Sequence, residues 1–145
     1  MNVRDALTTL RSVFDAAFPS VGKKALFTFG EAVICEVDGE KVRDVYKGFP
    51  NYDDPMGFVL GGHHYRYPWI PEQEIWIVRQ SPLRGKVATG LFHEPSERLA
   101  MKYLGLDYDT AHTFIADLAE HVFRQLCPPE VEQYLCRVWE EAAAL

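Results

Sequence analysis

Gly90-Leu91-Phe92-His93-Glu94-Pro95-Ser96-Glu97-Arg98-Leu99-Ala100-Met101-Lys102-Tyr103-Leu104-Gly105 is the stretch on which the reading of this chain turns. Within it His93 and Glu97 stand four residues apart with Glu94 beside the histidine, an H-E-x-x-E step. On a helix, residues at that spacing share a face, which is the placement two metal ligands need. Projected at about 100° per residue from His93, Phe92, Leu99, Ala100, Met101, Tyr103 and Leu104 fall within roughly 120° on either side, with Arg98 and Lys102 on the far side. The projection sets His93 and Glu97 in the middle of an inward, apolar face. Gly105 offers the C-cap. Pro95, with no N–H and a ring that crowds the carbonyl of Leu91, requires either a helix starting at His93 or Glu94, or a kink at this point.

Asp107 is placed to N-cap a second helix, Tyr108 to about Leu126, which Pro128 and Pro129 stop. The same projection from His112 gathers Ala111, Ile115, Ala116, Leu118, Ala119, Val122, Phe123 and Leu126 around it and puts Asp117, His121 and Arg124 opposite. Glu120 lies at the edge of that face, roughly 80° from His112. A buried carboxylate is costly unless it is protonated, paired or bound to a cation, so Glu97 needs a partner. The expected metal ligands are His93, Glu97 and His112. Glu120 serves as a fourth ligand or as the acceptor that orients a ligand histidine. Imidazole and carboxylate with one open position suit catalytic zinc, and Glu94 is placed to take a proton from water. The competing reading of the same residues is a metal-free hydrogen-bond network that fixes the helix pair.

Working back along the chain, His63 and His64 follow Gly61 and Gly62. Neighbours on a strand point to opposite faces, so at most one of the two joins an interior site. Residues 3–18 have the spacing of an amphipathic helix, a cover for the sheet, and Pro19 closes it. Ala25 to Val37 is rich in Phe, Val and Ile, with Gly30 as a bulge, and Asp38-Gly39 offers a hairpin turn before Val42, Val45 and Tyr46. Residues 47–57 carry loop composition. Glu74–Val78 reads as a strand and Ser81–Lys86 as a turn. Tyr65, Tyr67, Trp69 and Trp76 alternate as sheet residues do and are assigned to core packing. A last helix, about Glu130 to Ala144, presents Val131, Tyr134, Leu135, Val138 and Trp139 and has a structural role.

Composition bounds the rest. A chain of 145 residues with 48% apolar and 13% aromatic content fits one globular domain. A net charge of −6 argues against duplex nucleic acid as a partner. No apolar run approaches the roughly 20 residues of a membrane span, and residues 1–20 lack a signal-peptide pattern, so a cytosolic protein is expected. Cys35, Cys127 and Cys136 share no ligand spacing and read as reduced thiols. No G-x-S-x-G supports a serine nucleophile.

Two resemblances rest on these residues. The order Gly61-Gly62-His63-x-Tyr65-x-Tyr67, Ile70-Pro71, Glu74-Ile75-Trp76-Ile77, His93-Glu94-x-x-Glu97, Met101, Gly105, Tyr108, Ala111-His112 and Glu120 resembles a group of small bacterial and phage-associated proteins of uncharacterised activity. The likeness covers roughly residues 58–124 and groups the residues without implying a reaction. The H-E step also resembles the zincin metallopeptidases, whose H-E-x-x-H helix supplies two ligands and a base. That likeness implies His93 as ligand, Glu94 as base and Glu97 in place of the second histidine. The chain departs from the zincin pattern at Glu97 and Pro95.

The expectation is one α+β domain over residues 1–145: a small, mainly antiparallel sheet from residues 25–78, an N-terminal helix and a C-terminal trio of helices. The expected function is a zincin-like metal-dependent hydrolase, a peptidase among the options, with Glu74–Val78 lining the substrate. The alternatives are a non-catalytic interaction protein of phage or mobile-element origin, and a protein whose metal is structural.

Overall fold

The computed structural model describes residues 2–17, 21–47 and 58–145, with side chains throughout except at 11–17. Helix α1 (Val3–Ala17) is followed by strands β1 (Lys24–Phe29) and β2 (Ala32–Val37), helix α2 (Gly39–Tyr46), and strands β3 (Gly61–His63) and β4 (Glu74–Val78). The strands form one sheet in the order β1-β2-β4-β3, antiparallel except for the central β2–β4 pair. The α+β class, the N-terminal helix and the mainly antiparallel sheet are as expected.

Both faces of the sheet are covered, which is why its central strands read as nearly continuous apolar runs. Ile34, Ile75 and Ile77 point down into a cluster with Val87, Ala88, Phe123 and Trp139 of the C-terminal helices. Cys35, Val37, Trp76 and Val78 point up into a cluster with Val42, Tyr46, Phe58, Tyr67, Trp69 and Ile70. Each of the three buried isoleucines contributes about 1.5–3 kcal/mol. A polar tie joins helices to sheet: Glu36, buried on β2, accepts from Lys86 Nζ at 2.8 Å and from Trp139 Nε1 at 3.0 Å.

Four local readings are corrected. Gly30, with φ 62°, makes the β1–β2 turn rather than a bulge, and the register shift falls between Ala25 and Phe27. Asp38 accepts from the Lys41 N–H at 3.1 Å and so N-caps α2 instead of opening a hairpin; Asp-Gly serves either purpose. Ser81–Lys86, expected as a turn, runs into helix α3 (Leu83–Val87). The large apolar residues described on α1, Val3, Leu7 and Leu10, are exposed, so they do not cover the sheet. Of the expected loop at 47–57, residues 48–57 lie outside the described residues. Tyr67, Trp69 and Trp76 do pack in the core, although residues 64–66 and 68–69 form turns rather than strand.

The C-terminal half is two helical rods and α7 (Pro129–Ala144). The first rod runs α3, a π-helical turn at Ala88–His93, then α4 (Glu94–Leu104), ending on Gly105 at φ 65°. The second runs α5 (Tyr108–Ala111), a π turn at His112–Ala116, then α6 (Asp117–Leu126), with Asp107 accepting from the Thr110 N–H at 2.8 Å as N-cap. In each π turn the closing amide reaches five residues back, Glu94 N–H to Thr89 O and Asp117 N–H to His112 O. The first π turn widens the rod where Pro95 would otherwise crowd the Leu91 carbonyl, so the helix continues through the proline.

The π turns overturn part of the helical projection. A π turn absorbs one residue, so positions beyond His112–Ala116 slip by about 100° against a regular helix. Leu118 and Leu126, projected inward, are 59% and 71% exposed. Asp117, projected outward, comes within 3.8 Å of His112 Nε2, and Arg124, also projected outward, pairs with Glu120 at 2.7 Å. On α4 the inward face is centred on Glu94, Glu97 and Arg98, while Leu99, Tyr103 and Leu104 are exposed. Arg98, only 1% exposed, is drawn in by Glu31 at 2.6 Å and by the Glu72 carbonyl at 2.9 Å. Lys102 joins the same cluster, 3.0 Å from Glu31. Hydrogen bonds from Tyr103, Arg98 and Lys102 hold the Glu31 carboxyl at about 2. Among the described residues no helix is long and apolar enough to cross a membrane.

The junction of the first rod with α7 is tight. A Cβ at Gly90 would lie 2.5 Å from Cη2 and 2.6 Å from Cζ3 of Trp139, whose ring is fully buried edge-on to Phe27. Gly90→Ala should therefore cost about 1–3 kcal/mol of stability in denaturant unfolding. A loss under about 0.5 kcal/mol, the range of ordinary surface substitutions, would mean that Trp139 can move aside.

Candidate metal centre

The two rods cross so that His93, Glu94 and Glu97 from the first meet His112 and Glu120 from the second, all lining one cavity of about 160 Å³. All five residues expected at the site are thus brought together. His93 Nε2 lies 3.2 Å from His112 Nδ1 and 3.5 Å from Glu97 Oε2, and His112 Nδ1 lies 3.0 Å from that same oxygen. These three donor atoms form a triangle. Bonds of about 2.0–2.1 Å to a tetrahedral cation place its ligand atoms roughly 3.3–3.4 Å apart, so the triangle has the size of one face of such a site.

The surrounding carboxylates set which nitrogens carry protons. His93 Nδ1–H donates to Glu120 Oε1 at 3.0 Å. His112 Nε2 faces Asp117 Oδ1 at 3.8 Å. The Glu120 contact turns His93 Nε2 toward His112 Nδ1 and Glu97 Oε2, and His112 Nδ1 is itself at hydrogen-bond distance from Glu97 Oε2. Three such atoms this close together need a cation or protons among them. Glu120 therefore acts as the acceptor that orients His93, the second of its two expected roles. Asp117, expected on the outer face, is brought within 3.6 Å of His93 Nδ1 by the π turn. Two groups here could hold a metal ion: His93, His112 and the exposed Asp117 offer donor atoms within 4.8 Å of one another, and so, separately, do the buried His63, Glu94 and Glu97.

His63 is the site residue that sequence reasoning left open. It is fully buried, accepts from the Tyr65 N–H at Nδ1 (3.1 Å) and donates from Nε2 to Glu97 Oε1 at 2.9 Å. That tautomer makes Nε2 a donor rather than a ligand, and it commits one Glu97 oxygen so that the other faces the histidine pair. Burial lowers the His63 pKa, which keeps the ring neutral. The signal was the glycine pair: a Cβ at Gly61 would lie 2.7 Å from the Trp76 carbonyl oxygen, and one at Gly62 would lie 2.5 Å from the Tyr67 ring. Only glycines let β3 come close enough to aim His63 at α4. His64 turns away and pairs through Nδ1 with the Ile70 carbonyl at 2.8 Å. Strand β4, expected to line the substrate, lies between β2 and β3 with Ile75–Val78 buried; Val59, Leu60 and Gly61 line the cavity instead.

The electrostatics follow from burial and crowding. For His93, burial acts to lower the pKa, but the Glu97 hydrogen bond and the charges of Glu94, Glu97 and Glu120 outweigh it and raise it to about 9. Burial acts to raise Glu97, and the three histidines hold it down. Glu94 is pushed up by burial and then by the charge of Glu97. Its Oε2 has no hydrogen-bond partner and the residue is 7% exposed. Without a metal, a proton on His93 balances these carboxylates.

No protein-family model, curated protein or solved structure matches the chain.

In the metal-free protein the His93 ring should titrate near 9 instead of at its usual 6.5, as read by imidazole NMR. Because the folded value is the higher one, the stabilisation from His93 is complete below about 6.5 and is lost as pH rises through about 9. The stability of the metal-free protein should fall across that window. A ring titrating at or below 6.5 would contradict the arrangement.

Proposed function

We propose that the chain is a zincin-like metal-dependent hydrolase holding one divalent cation on His93 Nε2, Glu97 Oε2 and His112 Nδ1. The observation that carries this reading is the triangle of two imidazole nitrogens and one carboxylate oxygen at 3.0, 3.2 and 3.5 Å, open on its cavity side. Two imidazole nitrogens and one carboxylate favour zinc over magnesium or calcium, which prefer oxygen. When bound, the cation supplies Lewis acidity, polarising a carbonyl and making water more acidic.

The chain's own residues supply positioning and proton transfer. His63 fixes the Glu97 carboxylate, and Glu120 and Asp117 orient the histidines. Glu94, buried and without a hydrogen-bond partner on Oε2, stands on the cavity wall beside them. Beside such a cation Glu94 would be held in its ionised form, the opposite of the effect of Glu97. Glu94 then takes a proton from the attacking water and returns it to the leaving group. Val59, Leu60 and Tyr67 wall the cavity and limit its water.

A second reading, an interaction protein with a structural polar network, is favoured by a separate observation. Leu99, Tyr103, Leu104, Phe114 and Leu118 are exposed on the two rods.

Element analysis of untagged protein separates the two. Less than about a tenth of an equivalent of metal, unchanged when zinc or manganese is offered, would remove the hydrolase reading. With metal present, His93→Ala and His112→Ala should lose it. Glu94→Gln should keep the metal and lose about 10²–10⁴-fold of hydrolysis measured on a fluorogenic peptide library. Undiminished hydrolysis in Glu94→Gln would leave the metal without Glu94 as its base.

A further inference from the structure

Strand β3 stands at the edge of the sheet, paired with β4 on one side and, among the described residues, with no strand on the other. Its register fixes which backbone groups are used. Val78 N–H donates to the Leu60 carbonyl at 2.9 Å, and Gly61 stands opposite Ile77, Gly62 opposite Trp76. Hydrogen-bonded positions alternate along an antiparallel pair, so Leu60 and Gly62 turn their N–H and C=O groups to β4 and Gly61 turns both of its groups away. No side chain or turn among the described residues takes up these two groups. The cavity lies on that side, for Gly61 lines it and Gly62 does not. His93, Glu97 and His112 line it too, so the free backbone pair shares one space with the candidate metal ligands.

An apolar lane continues from this point. Val59 and Leu60, 57% and 52% exposed, line the cavity and also a second hollow bounded by Val78, Gln80 and Pro82. The two hollows are therefore joined across a pair of apolar side chains that immediately precede Gly61 in the chain. An N–H and a C=O on one edge residue are satisfied together by one residue of an antiparallel partner, whereas a parallel partner divides them between two. Extended peptides dock on sheet edges in this way, with main-chain bonds giving affinity and hollows for side chains giving specificity.

We infer that the free edge of β3 seats an extended polypeptide segment, which pairs antiparallel with Gly61 and lays the apolar side chains of its next two residues over Leu60 and Val59. The ligand is a main chain read within its length, not a free small amide. The delivery of one of its amide bonds to His93, Glu97 and His112 rests on the hydrolase reading; the pairing with Gly61 does not.

The test is a binding titration followed by backbone amide NMR, on metal-free wild type and on zinc-loaded Glu94→Gln, which holds a peptide without cleaving it. The probe is acetyl-Ala-Ala-Leu-Leu-Ala-Ala-amide. Its controls are the same peptide with serines in place of the leucines, a set in which each amide in turn is replaced by an ester, and N-acetylleucinamide. The Gly61 N–H resonance should shift with the peptide, a measurement on the wild type that needs no variant to fold. An ester at one position, the residue opposite Gly61, should weaken binding by about 2- to 10-fold, the net effect of one hydrogen bond. The serine peptide should bind about 10-fold more weakly or worse, from the apolar area left uncovered. Substituting both Val59→Ser and Leu60→Ser, which touches no buried residue, should erase that difference. An unmoved Gly61 resonance, equal loss at every ester position, a leucine preference undiminished in the double variant, or N-acetylleucinamide binding as tightly as the peptide overturns the inference. Zinc content of wild-type samples keeps the two readings apart. Binding through Gly61 in protein that takes up no zinc sinks only the hydrolase, and zinc-loaded protein whose Gly61 resonance stays unmoved sinks only the peptide seat.

Discussion

The buried carboxylate of Glu97 is the constraint around which the rest of the site is arranged. Taking a carboxylate out of water is costly, and here three imidazoles offset that cost. Because His63 occupies Oε1, only Oε2 faces the pair of histidines from the two rods. Burial, and after it the charge of Glu97, hold the neighbouring Glu94 toward its neutral form. One charge thus bears on the His63 tautomer, on which oxygen faces the histidine pair and on the state of a second acid. It also explains why β3 needs Gly61-Gly62, since only a strand pressed close against β4 and Tyr67 presents His63 at the correct depth.

The residue after Glu97 does the complementary work. Arg98 reaches the opposite way, to Glu31 in the β1–β2 turn and to Glu72 ahead of β4. Adjacent positions on α4 therefore tie the helix to the site and to the sheet, and the helix cannot rotate without breaking one set. The side chains of the candidate site are therefore held in place by their surroundings from both directions.

Much of this was legible in the sequence. His93, Glu97, His112 and Glu120 were found because helical spacing groups them and because buried polar residues need partners. What failed has specific causes. His63 sits on a strand of three residues followed by a turn, too short for alternation to say which of two histidines points inward. Arg98 was sent outward because a projection scored on hydrophobicity cannot see Glu31 and Glu72 waiting for it. Asp117, Leu118 and Leu126 were misplaced together by a single phase slip at His112–Ala116. Asp38-Gly39 was ambiguous in itself, since the same two residues open a hairpin or cap a helix.

The π turns carry a consequence for how such a centre changes over evolution. Each wide turn accommodates one surplus residue and leaves the flanking helices facing as they would in its absence. Deleting one residue from His112–Ala116 would close the turn to ordinary α geometry, with Glu120 still beside His93. The separation of His112 from Glu120 along the chain is therefore free to vary by one while their separation in space stays fixed. A signature written as a fixed count between these residues would pass over chains that have the same centre, whereas one written as distances would find them.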